Sequence, residues 1–467
     1  MPPTLALIIW FMLLIGLLYL DPAKQANTSI ALWVPLIWMF ILGSRLPMQW
    51  FGGQGMTAEA AALQEGNPLD RTVFAVLIMM AVVILLSRSF RWDSFFANNI
   101  FLFTFVLFAL ISVFWSDFPF IAFKRWLRDL GNYLVILVVL SDPRPLDAVR
   151  TLFRRLCYLL VPLSVVLIKY FPLVGKQYSD WTGANYFVGA TTSKNMLGAL
   201  CLVSGIFFFS DTLSRWAERK EPRTKKIIAI NFAFLTMTLW LLRLANSATS
   251  LVCLVIGCLI VVVGHSKSAK RHPGFFRALI PTTFCLYLIL GFGFDINGSL
   301  ASIVGRDPTL TGRADIWRVV LGMHTNPLIG TGFESFWLGP RLQAIWKVVG
   351  PINESHNGYI EVYLNLGLIG TCLLGAWLIS SYRDIWRQFK SPPALASLRL
   401  AFWTVILFYN MTEAAFRSGL MWLIFLLVAI TVPQTAAAKV RDVPVFNRAT
   451  AGDRLRKPRL ETVRQRR

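Results

Sequence analysis

Charge is scarce in this 467-residue chain. Lys, Arg, Asp and Glu together make up 15% of it, against 56% hydrophobic residues and a mean hydropathy of +0.58. That excludes a soluble globular chain, where roughly a quarter of the residues are charged. Acid is scarcer still: 24 Asp and Glu stand against 46 Lys and Arg, a net charge of +22. In a soluble protein such an excess would point to nucleic acid. Here the basic residues gather in short connections and in the C-terminal tail, so they read as loop charge and no nucleic acid is expected. Regular apolar/polar alternation is missing from the apolar runs, which excludes a β-barrel. The six cysteines (Cys157, Cys201, Cys253, Cys258, Cys285, Cys372) lie inside apolar runs with no CxxC, so no disulfide or thiolate site is expected. His265, His272, His324 and His356 form no helix-spaced metal motif, and no metal or cofactor is expected. The Met-Pro-Pro start lacks the basic flank of a signal peptide, so the first apolar run reads as a retained helix. There is no internal repeat.

What is present is a series of apolar runs, mostly 14–20 residues long, matched to a hydrocarbon core of roughly 30 Å. They fall at Thr4–Leu20, Ser29–Leu42, Val73–Leu86, Ile100–Trp115, Trp126–Leu140, Leu152–Ile168, Met196–Phe209, Ile227–Leu244, Leu251–Val263, Phe276–Phe292, Tyr359–Ile379, Ala401–Met411 and Leu420–Val432. The fold class is therefore all-α, a polytopic membrane helix bundle with about 12–13 spans and one large loop. The basic stretches Arg215–Lys226, Lys267–Arg277 and Arg383–Arg399 and the tail, with ten Lys/Arg against three Asp/Glu after Val432, fall on one side if every run crosses once. That side is expected to be cytoplasmic, which turns Arg45–Leu69, Phe171–Thr192 and Asp295–Ser355 to the other face. The chain divides into N-terminal helices (1–113), central helices (114–293), the outer loop (294–357), C-terminal helices (358–432) and a basic, disordered cytoplasmic tail (433–467) that can touch anionic lipid.

The outer loop concentrates polar chemistry. From Gly312 the sequence predicts a short helix, with Arg313, Trp317 and His324 on one face and Asp315 and Arg318 paired off it. Arg313 either snorkels from an interfacial helix anchored by Trp317 or holds an anionic group bidentately. PLIGTG at Pro327–Gly332 reads as a tight turn rather than a phosphate loop, since it lacks the Lys-Ser/Thr of a P-loop. His356 sits where the chain re-enters the membrane and is the natural proton acceptor near neutral pH. Asn357, Glu361 and Asn365 follow at i,i+4 spacing, with Tyr363 on the neighbouring face. Asn357 and Glu361 either cap a helix start or serve the chemistry, as an ionisable group inside a membrane suggests. On the same outer side, Lys194 and Asn195 open one helix, and Arg243 and Ser247 flank the start of another. Near the end, Glu413 and Arg417 at i,i+4 suit a structural ion pair or a catalytic role equally. Three outward cations (Lys194, Arg243, Arg313) run against the positive-inside rule, and a diphosphate would account for them. The Trp-rich stretch between the two halves of the loop suits an interfacial lid.

GRADIW, NPLIGTGF and SHNGYIEVYLNLGLIG, preceded by SKNMLG and NSATSL, together resemble the bacterial O-antigen ligase and O-antigen/exopolysaccharide polymerase superfamily. FYNMTEAAF and FWSDFP at Phe114–Pro119 are similar to its exopolysaccharide-polymerase branch. The resemblance covers roughly Phe114–Val432. It implies a glycosyltransferase of the bacterial inner membrane with its active site towards the periplasm. Its donor would be an undecaprenyl-diphosphate-linked glycan and its acceptor a hydroxyl on a glycan or lipid, alongside other polysaccharide-assembly proteins. The resemblance places the base on His356 and a diphosphate contact on Arg313. A second family arginine has Ala248 in its place here, leaving Arg243 or Lys194 to supply the charge and favouring a polymerase over a ligase. The site residues expected are thus His356, Glu361 and Asn357 for catalysis and Arg313, Lys194 and Arg243 for the diphosphate, supported by Trp317, Tyr363, Asn195, Ser247 and Glu413. A transporter of lipid-linked sugar is the main alternative, and a non-catalytic scaffold the other. A transporter should show inverted repeats, which are absent here.

Overall fold

The computed structural model describes residues 1–21, 28–51, 66–178, 185–266, 271, 273–293, 312–387 and 393–432. His272, the beginning of the outer loop at 294–311 and the tail at 433–467 lie outside the described residues. Every apolar run falls on a helix: α1 (Pro3–Tyr19), α2 (Trp33–Gly43), α3 (Pro68–Leu86), α4 (Trp92–Asn98), α5 (Ile100–Ile111), α6 (Pro119–Leu140), α7 (Pro145–Tyr170), α8 (Lys194–Arg215), α9 (Pro222–Ala245), α10 (Ala248–His265) and α11 (Pro273–Gly293), then, beyond the loop helices α12 (Arg313–Leu321) and α13 (Gly339–Val349), α14 (Gly358–Arg387), α15 (Pro393–Tyr409) and α16 (Leu420–Ala429). A two-stranded antiparallel ribbon, β1 (Lys176–Tyr178) with β2 (Asn185–Phe187), pairs Gln177 with Tyr186 between α7 and α8.

This is a polytopic helical membrane protein. Among the described residues six helices (α3, α7, α8, α9, α10, α14) are long and apolar enough to cross a membrane, and α4 with α5, bent by 88°, raises the number to seven if the pair is one span. The sequence expectation of 12–13 counted shorter apolar helices as well. α1, α2 with its 3-10 lead-in, α15 and α16 are apolar but only 10–17 residues long in their described parts, below the ~20 residues a full crossing needs. α6 is long enough, but Lys124, Arg125, Arg128 and Asp129 occupy its first half.

α7 and α8 are the enclosed centre, whereas α3 and α10 turn most of their surface outward. The apolar exposure of α1 (Ile8, Phe11, Met12) is what a lipid-facing helix shows. Every residue of α16 is buried, which its all-round apolar sequence requires. Apolar side chains of α2, α6, α7, α8, α14, α15 and α16 share one core.

The outer loop has a small core of its own. Ile316 and Val320 of α12 and Leu342 and Ile345 of α13 close over Phe336, Trp337 and Leu364 of α14. A lid is therefore not what the tryptophans form: Trp337 is 7% exposed and donates to both carboxylate oxygens of Glu361 at 3.1 and 3.0 Å. PLIGTG is a turn, as expected, and it plugs a break in α14. Gly367 leaves the helical region (φ 63°, ψ −164°). The amides of Leu368 and Ile369 then donate to Pro327 and Leu328, and those of Thr331 and Gly332 donate to Leu364 and Asn365. Gly330 and Gly367 both have positive φ, and a Cβ on either would strike the other segment's backbone.

Candidate active site

The site forms where α12, the start of α14 and the α15–α16 connection meet. Asn357 sets the entry to α14: its side-chain oxygen accepts from the amides of Tyr359 and Ile360 at 3.0 and 3.1 Å. Its amide group donates to the Met411 carbonyl at 3.1 Å. Asn357 thus caps the helix start through its side-chain oxygen. Gly358 donates to the carbonyls of Asn410 and Glu413, and a Cβ there would collide with the Asn410 side chain. These contacts lay residues 410–419 beneath His356.

His356 is held from both sides. The amide of Ser355 donates to Glu361, and the carbonyl of Ser355 accepts from the Trp317 indole at 2.8 Å. Glu361, 5% exposed, therefore braces the loop and does not touch the imidazole. His356 adopts φ +52°. Among the described residues only Asn246 and Glu334 share that left-handed region without being glycine, and Glu334 belongs to the same cluster. Such strain persists only where the surroundings impose it.

The imidazole lies between two carboxylates. Nδ1 is 2.9 Å from Glu354 Oε1 and 3.7 Å from Glu413 Oε2. The ring N–H is not aimed along either line, so the attraction is ionic rather than a well-formed hydrogen bond. Burial works against the charged ring, but Glu354 and Glu413 outweigh it and lift His356 to about 9. The resting side chain is consequently an imidazolium at neutral pH. Burial raises Glu354, but His356 first, then Arg417 and Arg313, bring it below the usual carboxylate range.

Arg313 caps the cluster, its Nη2 2.8 Å from Glu413 Oε1. Asn195, at the start of α8, donates to the other Glu413 oxygen at 3.1 Å. Glu413 does not pair with Arg417, because α15 ends at Tyr409 and the i,i+4 geometry is lost. Arg417 instead bridges Glu334 and Glu354, 3.7 Å from each. Burial opposes its charge, but Glu334, Glu361 and Glu354 hold it more firmly protonated than an ordinary arginine. Arg125 of α6 donates to the Glu334 carbonyl.

Of the expected residues, His356, Arg313, Glu413 and Asn195 come together, and Trp317 positions the loop beneath them. Ser247 caps α10 by accepting from the Ser250 amide at 3.4 Å. Next to it Thr249 bonds Thr412 at 2.8 Å, which joins the α10 start to the site. Lys194 stacks on Tyr186, 4.3 Å from the ring centre. Tyr363 packs with the loop core. Arg243 is exposed on α9 and joins none of these ion pairs. Glu354, Glu334 and Arg125 were not singled out from sequence as site residues. Glu354, two positions before His356, and Glu334, a carboxylate in the polar outer loop, carried a sequence signal; Arg125 carried none.

Glu354, His356 and Glu413 bring ligand-type atoms within 4.8 Å of one another, the one such trio among the described residues. Arg313 and the imidazole already neutralise these carboxylates, so the trio behaves as an ion-pair cluster. Chemically, the site offers cations for an anionic group, a histidine poised between two acids and a partly exposed opening: His356 is 26% exposed at its side chain.

Residues 232–375 match the family described as O-Antigen ligase. That span contains Arg313, Glu354, His356 and Glu361. The chain is also 27% identical over 300 residues to the exopolysaccharide production protein ExoQ of Rhizobium meliloti (strain 1021), covering 62% of this chain and 65% of that one, just under two thirds of the relative's length. Together these matches support the O-antigen ligase/polymerase-like superfamily for this multi-pass membrane protein.

Proposed function

We propose that the chain is a membrane glycosyltransferase that moves a glycan from undecaprenyl diphosphate to a hydroxyl acceptor on the periplasmic face of the inner membrane. Polymerase activity is favoured over ligase activity. The observation that carries this reading is His356, strained and clasped by Glu354 and Glu413 with Arg313 alongside. An anionic leaving group and a proton acceptor are the two things such a transfer requires. The acceptor oxygen attacks the anomeric carbon, the bond from that carbon to the diphosphate oxygen breaks, and the electron pair leaves with the lipid diphosphate. Arg313 stabilises the developing charge: a guanidinium has five N–H donors, so its contact with Glu413 leaves others for phosphate. The minority of His356 that is neutral at pH 7 accepts the acceptor's proton, and Glu354 and Glu413 stabilise the imidazolium so formed.

Lys194 and Arg243 are assigned to the rim of the donor path rather than its centre. Residues 312–357 of the outer loop supply half of the site, and α8, α10 and residues 410–419 supply the rest. Exopolysaccharide production, in the name of the relative, agrees with a polymerase. The test is reconstitution in lipid discs with a supplied lipid-linked repeat unit. Wild type should build a ladder of lengthened glycans, and His356→Ala and Arg313→Ala should abolish it while the protein still accumulates. A ladder of normal intensity from either variant would overturn the assignment. Movement of donor across the bilayer without any new glycosidic bond would favour a transporter.

A further inference from the structure

A cavity of ≈ 220 Å³ opens at the far end of α8, lined by Arg150, Phe207, Ser210, Asp211, Ser214 and Arg215. Asp211 lies sixteen residues after Asn195, so the cavity is about 24 Å along the helix from the Glu413 contact. It is therefore separate from the His356 site. Asp211 is the only acid in its lining, and its charge is already taken up: Arg154 is 2.8 Å away, Arg215 3.1 Å, and Asn231 donates at 2.8 Å. Arg150 makes no ion pair among the described residues. The lining sets two guanidiniums, Arg150 and Arg215, against the single carboxylate of Asp211, which also pairs with Arg154 behind it.

Arg154 strengthens the case. It is 2% exposed, lies 5.7 Å from the centre of the Phe207 ring, and its Nη1 has no hydrogen-bond partner. A buried guanidinium nitrogen without a partner is costly, and Arg154 adds its positive charge directly behind the Asp211 wall of the cavity. The Ser210 and Ser214 side chains add hydroxyl groups to the lining. The cavity has the volume of about seven waters, enough for a phosphate and its first substituent but not for an acyl chain. The six Lys and Arg of Arg215–Lys226 begin at its rim, and such a basic margin attracts anionic headgroups.

We propose that this cavity is a second anion site, which binds a phosphate ester. Either an anionic phospholipid headgroup or a soluble phosphate ester offers that chemistry. The site lies outside the transfer machinery, and its test does not depend on glycan transfer.

The full chain in lipid discs of phosphatidylcholine with a minor fraction of phosphatidylglycerol is compared by native mass spectrometry with Arg150→Ala and Ser214→Leu. The first removes a charge that holds no ion pair; the second fills the cavity without changing charge. Wild type should retain phosphatidylglycerol about tenfold better than either variant. In parallel, inorganic phosphate is titrated against detergent-solubilised protein at constant ionic strength. A rise in melting temperature of ~3 °C in wild type alone would identify a soluble phosphate as sufficient. Lipid retention without that rise would identify the headgroup. Equal retention by all three proteins together with no phosphate response would overturn the site. So would a phosphate response that survives in both variants.

Discussion

Replacing Glu354 with Gln probes the central cluster most directly. Glu354 is the nearer of the two carboxylates that hold His356, at 2.9 Å, and Glu413 remains at 3.7 Å after the change. With His356 lifted to about 9, its neutral form is about one part in a hundred at pH 7. A neighbouring opposite charge moves an ionisation by about 1–3 pH units. With Glu413 still in place, loss of Glu354 should move His356 down by about 1–2 of those units, with the neutral form at pH 7 rising to roughly 10–50%. The assay is kcat/KM for glycan transfer between pH 6 and 10. If His356 is the base, the wild-type logarithm climbs with unit slope and levels near pH 9, and the Glu354→Gln profile levels one to two pH units lower. Thermal stability gives an independent readout. A histidine raised from 6.5 to about 9 contributes about 3 kcal/mol to folding. Because the folded value is the higher one, this contribution is complete below pH 6.5 and is lost as pH climbs through 9. Wild type should therefore melt lower at pH 9.5 than at pH 7, and Glu354→Gln should show a flatter dependence. A wild-type rate that falls through pH 9 would refute the base and make the imidazolium the active form. A Glu354→Gln profile superimposed on that of wild type would refute the coupling.

Other expectations follow from the same contacts. Arg313→Ala leaves the buried Glu413 carboxylate without its closest cation and should cost about 3–5 kcal/mol. Combining Arg313→Met with Glu413→Gln should restore the melting temperature but not the glycan ladder; recovery of both would remove Arg313 from the transfer step. Asn357→Ala removes a helix cap and should cost about 1 kcal/mol while transfer continues, measured as unfolding in detergent beside the ladder assay. Trp337→Phe withdraws the indole donor from Glu361 and should cost about 1–3 kcal/mol, seen as faster proteolysis of the outer loop. Gly367→Ala and Gly330→Ala each force a Cβ against backbone at positive φ, so both should reduce the yield of folded protein far more than Gly375→Ala, which has open space around it.

The helices were legible because lipid demands long apolar runs, and every run read from the sequence is helical. The number of crossings was less so: hydropathy does not register that α4 and α5 meet at 88°, or that α16 is only ten residues long within its protein surroundings. His356 and Arg313 stood out by residue type in an apolar chain. Their partners did not. The Glu413–Arg417 pairing assumed a helix that ends four residues too soon, and Glu354 has no periodic relation to anything it contacts. Asn357 and Glu361 sat at helix-start spacing, where capping and chemistry look alike until the atoms they bond are known. The role of PLIGTG emerged only once Gly367, 35 residues beyond its last glycine, was seen to leave open the carbonyls and amides that the turn fills.

That interlock constrains how the protein is made. Leu364 and Asn365 present carbonyls, and Leu368 and Ile369 present amides, that α14 does not satisfy within itself. Left bare in hydrocarbon, each group would cost several kcal/mol. A nascent α14 entering the bilayer before the outer loop has folded has no reason to bend at Gly367, since a continuous helix satisfies every one of those groups. The bent form becomes the favoured one only when residues 327–332 arrive. Membrane insertion of the C-terminal helices and folding of the loop are thus one event seen from two sides of the interface. A fragment beginning at Gly358 would insert as a straight helix, with His356 and its acidic neighbours never assembled.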